Sequence, residues 1–297
     1  MATLLEWLVQ KYPTAKKQTL RGMVQDGRVT INGKRARSVK EAVGEADKVV
    51  VGKSVERPRA SIEPLKIVHE DEDVLVVNKP PGLLTSTTVR ERRATAIALV
   101  RDYLGDREPR ARAGIVHRLD RDASGLLVFS KNNAAHQSLK RQFFQHTVLR
   151  EYLAVVHGRV SPAKGKIESN LVELKDGSVR DTTAPGRGQK AVTEYEVVSQ
   201  GKKMAVVRVR LQTGRKHQIR AHFAQRKNPV VGDAMYEGPQ PPGTMLLLAA
   251  VKLGFDHPRS GERVTFEISP PVEIERVIAE TSAREKAKIE DRGSKID

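Results

Sequence analysis

No cysteine occurs in the 297 residues, which excludes a disulfide framework and any thiolate chemistry. Acidic residues are few beside basic ones: 36 Asp and Glu stand against 53 Lys and Arg, a formal net charge of +17. That imbalance points to a polyanionic partner, most often nucleic acid. An anionic membrane surface would also attract it, but the chain lacks a long apolar span and an amphipathic anchor. A basic surface serving solubility alone is the bland alternative. The basic residues are spread over every segment. The opening MATLLEWLVQKYP is too short and too polar for a secretory signal, so a cytoplasmic location is expected. No internal repeat is present.

With 38% hydrophobic and 30% charged residues, the chain reads as globular, and its length suggests about two domains at ~150 residues each. Residues 1–53 behave as one unit. Leu4, Leu5, Leu8 and Val9 recur at helical spacing up to Pro13, and a second helix fits Lys16 to Gln25. The segment Arg28-Val29-Thr30-Ile31 alternates, Asn32-Gly33 is a hairpin signal, and Ala46 to Val51 supplies a returning strand. Residues 54–65 are polar, contain two prolines and read as a linker. Residues 66–280 are strand-rich, with helices expected over Ala94 to Leu104 and Asn133 to Gln145. Strands are expected over Leu75 to Val77, Tyr152 to Val156, Val192 to Val198, Ala205 to Leu211 and Leu246 to Phe255. Asp176 to Gln189 reads as a mobile loop, and residues 281–297 as a disordered tail. Without regular βαβ alternation, the larger domain is expected to be α+β, built on a mixed, mainly antiparallel sheet.

The most informative stretch is Ile115 to Lys131, IVHRLDRDASGLLVFSK. Apolar residues around an acidic turn suggest two short strands presenting a loop at the edge of a buried sheet. Asp120 would sit there beside Arg118 and Arg121, partly desolvated, as a nucleophile or a base. The bland reading is an Asp–Arg pair that pins a loop. Asp122 has no partner motif that would make a glycosidase-type carboxylate pair with Asp120. No Gly-rich loop or D-F-G accompanies the H-R-x-D string to suggest a kinase. His217 and His222, five apart, match neither a common zinc spacing nor one helical face, so no metal site is expected.

HRLD followed by an S-G-L-L turn resembles the catalytic motif of pseudouridine synthases of the RluA type. Asp73 to Gly82 (DVLVVNKPPG), Glu151 to Gly158 (EYLAVVHG), Thr213 to His222 (TGRKHQIRAH), Asn228 to Asp233 (NPVVGD) and His257-Pro258 fit that family in the same order. His117 ahead of Arg118 and the run His217 to Arg220 match the RluA type rather than the branch reading Gly-Arg-Leu-Asp. The helix-helix-hairpin opening resembles the small RNA-binding module named after ribosomal protein S-four. It departs from it where Leu4-Leu5-Glu6 replaces the usual Arg-Leu-Asp.

The resemblance implies a pseudouridine synthase fold and an enzyme that detaches uracil from its ribose and rejoins it through carbon, with no cofactor. It implies Asp120 as the essential carboxylate, acting on the sugar or base as a nucleophile or taking a sugar proton. Arg215 is the implied cationic partner of Asp120, and Tyr152 is implied to lie against the uracil. His117 and Arg118 flank the carboxylate, the motif arginine helping to place the RNA as the target base leaves its stack. Asn78 and Lys79 are expected to shape the cleft floor and contact substrate. Lys16, Lys17, Arg21, Arg28 and Lys34 are the implied phosphate contacts of the N-terminal module, a solvated basic face being the alternative. Where the family often has Leu-His-Ala, this chain has Leu248-Ala249-Ala250, which bears on pocket support or substrate choice. The partner is RNA, ribosomal or transfer, the chain acting as a monomer; a non-catalytic RNA-binding protein in ribosome assembly is the other class of reading.

Overall fold

A computed structural model describes residues 2–15, 17–25, 27–44, 46–52, 62–86, 94–107, 111–236 and 244–293. They fall into two compact units, within 1–61 plus 102–111 and within 62–101 plus 112–297. Most of the expected linker, 54–61, together with residue 53 and Lys16, lies outside the described residues.

In the first unit, strand β1 (Ala2–Thr3) leads into helices α1 (Leu4–Lys11) and α2 (Lys17–Gln25). Then come β2 (Val29–Ile31), β3 (Lys34–Arg35), β4 (Ala42–Val43) and β5 (Val49–Val51). The departure at Leu4-Leu5-Glu6 has a local purpose. Thr3 Oγ1 accepts from the Glu6 N–H at 3.3 Å while Glu6 Oε2 accepts from the Thr3 N–H at 2.7 Å, a capping box that satisfies two free donors of α1. Asn32 and Gly33, both at positive φ, turn β2 back onto β3, and β2 also pairs with β5. Leu4, Leu8, Leu20, Val24, Val29 and Val43 form this unit's core.

The second unit is built on β6 (Lys66–Glu70), β7 (Val74–Lys79), β8 (Gly114–Ile115), β9 (Ser124–Ser130), β10 (Leu149–His157) and β11 (Lys164–Glu173). It continues through β12 (Val179–Asp181), β13 (Gln189–Gln200), β14 (Met204–Leu211), β15 (Leu248–Asp256) and β16 (Arg263–Glu267). Among the described residues these strands form one sheet in the order β12-β11-β13-β14-β10-β15-β9-β7-β6, with β16 on β15 and β8 on β9. All its pairings are antiparallel except β15 with β9. The fold is therefore α+β on a mixed, mainly antiparallel sheet. Helix α3 (Ala96–Arg107) precedes β8, α4 (Asn133–Phe144) follows β9, α5 (Gln218–Gln225) follows β14, and α6 (Val272–Gly293) ends the chain.

Interior position explains the unbroken apolar runs: β7 and β9 are buried along nearly their whole lengths, as strands covered on both faces must be. The turn carrying Asp120 does join two paired strands, with Gly114 opposite Ser130 and Ile115 opposite Phe129. Yet β9 lies inside the sheet rather than at its edge. Two expectations for irregular chain are corrected. Within 176–189, residues 179–181 pair with β11. The tail from Thr281 continues as α6 to Gly293, with Thr281 buried and its hydroxyl 2.8 Å from Ser199 Oγ. Among the described residues no helix is long and apolar enough to cross a membrane.

Candidate active site

The Asp120 loop is clamped on both sides of the carboxylate. Buried Thr85 donates its hydroxyl to the Leu119 carbonyl at 2.8 Å and accepts the Leu119 N–H at 3.2 Å. On the other side Lys79, fully buried, donates from Nζ to the carbonyls of Arg121, Pro80 and Leu83 at 2.9, 2.9 and 2.8 Å. Burial pulls the pKa of Lys79 down to about 8, against the opposing charges of Asp122 and Asp120. Lys79 is thus a strut beneath the loop, which corrects its expected role as a substrate contact; neither it nor Asn78 lines the cleft.

His117 is likewise structural. Its Nε2 accepts the Val128 N–H at 3.1 Å, and its ring stacks on Phe143 with centroids 4.6 Å apart. Burial, helped by the charge of Arg150, holds its pKa at about 3, so the imidazole is neutral and its Nε2 is an acceptor. Arg118 is exposed on the cleft wall, and Arg121 pairs with Asp122 at 2.9 Å. Neither neighbouring arginine is seen to neutralise Asp120.

The cation that does so is Arg220, in the first turn of α5. Its Nη1 lies 3.1 Å from Asp120 Oδ2, while Nε and Nη2 donate to Asp233 Oδ2 and Oδ1 at 2.6 and 2.8 Å. The Asp233 side chain is wholly buried, that of Arg220 10% exposed and that of Asp120 25%. Burial works against the guanidinium charge, but the two carboxylates outweigh it and raise the Arg220 pKa. Arg215, the expected partner, lies in the loop before α5 and spends its Nε on the Lys190 carbonyl at 3.0 Å. Thr213 lies too far ahead of α5 to cap it. It accepts the Val192 N–H and donates to Gln218 Oε1, which also accepts the Arg215 N–H. His217, at φ 50°, is the residue that precedes α5.

His217, Tyr236 and Arg150 were not singled out as site residues from sequence, whereas Tyr152 was. His217 Nε2 is 4.0 Å from Asp120 Oδ2, and its Nδ1 is 3.2 Å from the Tyr236 hydroxyl. That hydroxyl accepts the Val179 N–H at 2.8 Å, and Arg220 stacks over the Tyr236 ring at 5.1 Å. Burial raises Tyr236 to about 12, and burial lowers His217 despite the nearby Asp120. Arg150 is buried, reaches the Leu211 and Gln212 carbonyls at 3.4 Å each, and leaves Nε without a hydrogen bond. Tyr152, two residues on, is buried in β10 between Val209 and Ala250, and burial raises its pKa. The available signals were the His217–Arg220 run and Asp233 in NPVVGD.

Asp120, Arg150, Tyr152, His217 and Arg220 line a cleft of about 1090 Å³, just above the ~300–1,000 Å³ usual for small-molecule pockets. It sets Asp120 among Arg118, Lys140, Arg150, Arg215 and Arg220. Such a space admits an anionic strand and leaves Asp120 as its half-buried carboxylate, since Glu173, which also lines it, is exposed and paired with Lys216 at 2.6 Å. Asp71, Asp73 and His257 form the one grouping with metal-ligand geometry among the described residues. Their donors are already engaged: Asp71 by His69 and His257, Asp73 by Arg259 and Asn132. His222 bonds Thr193 and Ser169 instead.

A family profile described as RNA pseudouridylate synthase matches residues 73–225. The chain is 38% identical over 273 residues to an uncharacterised RNA pseudouridine synthase of Bacillus subtilis, covering 86% of each chain. It is 34% identical to ribosomal large subunit pseudouridine synthase D of Yersinia pestis, covering 84% of this chain and 78% of that one. Among solved structures, human RNA pseudouridylate synthase domain containing 4 superposes with a TM-score of 0.60 at 21% identity, over 70% of this chain and 90% of that one.

Proposed function

The chain belongs to the RNA pseudouridine synthase family, and from that premise we propose that it converts uridines of large-subunit ribosomal RNA to pseudouridine through Asp120. The reaction breaks the N1–C1′ glycosidic bond and forms C5–C1′; C5 loses a proton and N1 gains one. Nothing enters or leaves, so no cofactor takes part. Asp120 supplies the carboxylate, whether it adds to the sugar or the base or removes a sugar proton. The observation that carries the reading is the Asp120–Arg220–Asp233 chain of charges at the cleft. The guanidinium at 3.1 Å gives the Asp120 carboxylate a fixed cationic partner and aims it into the cleft. Tyr152, buried beside Asp120's field, is the group against which the uracil rests and which assists removal of the C5 proton.

Large-subunit RNA is favoured because relatives of comparable length carry that target in their names. The N-terminal unit serves as an S-four-like RNA-binding module in a monomer working in the cytoplasm. Its exposed Lys17, Arg21 and Lys34 contact phosphates, whereas Arg28 is half-buried and holds the Gly52 carbonyl at 3.2 Å.

The test is carbodiimide mapping of pseudouridine in total RNA from cells with the gene, without it, and with Asp120→Asn. Large-subunit stops that vanish in the deletion and stay absent with Asp120→Asn support the reading and name the site. Stops lost from transfer RNA instead would move the target. Full persistence in all three strains would leave a non-catalytic RNA-binding protein.

A further inference from the structure

Phe144 is the most exposed large apolar side chain among the described residues, at 83%, and it lines the cleft that holds Asp120. It ends α4, one residue past Phe143, whose ring turns inward to stack on His117. Successive helix positions point about 100° apart, so anchoring Phe143 fixes the outward course of Phe144. Lys140, exposed on the same cleft wall, stands one turn earlier on the same helix face. His146 and Arg215 complete this side of the lip. Burial, with the nearby charges of Arg150 and Arg215, lowers the pKa of His146.

A phenyl ring held in water beside cations is costly to leave bare and has the composition of a nucleotide platform: a π face for a base, ammonium and guanidinium groups for its phosphates. A second copy of this chain would bring a net charge of +17 against that basic lip, which disfavours self-association.

We propose that Phe144 stacks on an RNA base next to the target uridine and, with Lys140 on its 5′ or 3′ phosphate, holds the strand open while the target enters the cleft. This rests on the RNA-modifying reading of that cleft. Phe144 is a positioning residue: it touches a flanking nucleotide, not the reacting atoms, so its loss weakens substrate capture more than turnover.

The test uses the full-length protein and an unmodified in vitro transcript of large-subunit ribosomal RNA carrying 5-tritiated uridine. Phe144→Ala, Phe144→Leu and Phe144→Trp are compared by tritium release and, in an Asp120→Asn background, by affinity for the same transcript. Expected is a KM about tenfold higher for Ala and Leu with kcat within twofold, the scale of one stacked base, and near-normal behaviour for Trp. Leucine matching phenylalanine would reduce the contact to apolar bulk and overturn stacking. So would four indistinguishable proteins, or an effect of Phe144→Ala on sedimentation rather than on RNA. If the unaltered protein releases no tritium, the large-subunit reading fails on this RNA. The affinity series then decides the platform alone: Trp and Phe above Leu and Ala sustains it, a flat series ends it.

Discussion

Arg220 carries one positive charge between two carboxylates of unequal exposure, the wholly buried Asp233 and the quarter-exposed Asp120. The guanidinium fork decides how it is shared. Nε and Nη2 are both taken by Asp233, which leaves Nη1 as the group that meets Asp120, so direction as well as charge is fixed. A lysine retains the charge but not the fork. Arg220→Lys is therefore expected to lower kcat by at least tenfold. Arg220→Met, which leaves Asp233 charged and buried, should in addition cost about 3–5 kcal/mol of stability. Arg215→Ala leaves the Asp120 pair intact and should raise KM with little change in kcat. Urea midpoints and tritium release measure all three; a kcat lost with Arg215→Ala and kept with Arg220→Lys would return the partner role to Arg215. From sequence, the acidic turn around Asp120 was legible because apolar runs bracket it. Its partner was not, because both arginines stand in one ten-residue motif and only the onset of α5 at Gln218 tells which of them meets Asp120.

Strand β9 begins just after the Asp120 loop, and its pairing with β15 sets where that loop ends. Ser124 and Gly125 lie opposite Ala249 and Ala250 in the parallel pair. Gly125 has φ 110°, and a Cβ there would run into the Ala250 backbone. Gly82, at φ 82°, has open space around the same position, so the two glycines separate backbone strain from collision. Gly82→Ala should cost about 1 kcal/mol, whereas Gly125→Ala should cost on the order of 3 kcal/mol and reduce turnover by moving the loop. Equal urea midpoints for the two variants would mean that β9 and β15 are not in this close contact. The close approach also bears on Leu248-Ala249-Ala250, where the small, buried Ala249 sits beside the junction. Elements with long apolar runs, such as β7 and β9, were legible because interior strands need both faces apolar. Strand β11 was not, because KGKIESNLVE alternates exposed and half-buried positions along most of its length. Helix α6 outran its sequence signal because Ile274, Val277 and Thr281 find their partners on distant strands.

Over the whole molecule the excess of cations is not confined to the cleft, and that spread has a measurable consequence. Each phosphate neutralised by a lysine or arginine releases counterions, so the logarithm of RNA affinity falls with the logarithm of salt by roughly 0.7–0.9 per contact. Cations that only keep the protein soluble contribute nothing to that slope. Lys17, Arg21 and Lys34, exposed on the N-terminal unit, are expected to be contacts, whereas Asp120, the proposed reacting carboxylate, should leave the slope almost untouched. Replacing the three by alanine is expected to reduce the slope by about 2–3 and to raise KM, with kcat unchanged at saturating RNA. Asp120→Asn is expected to do the reverse, keeping the slope and abolishing turnover. Affinities for one transcript at several salt concentrations distinguish the two. An unchanged slope in the triple variant would assign those residues to a solvated face and leave RNA capture to the cations around the cleft.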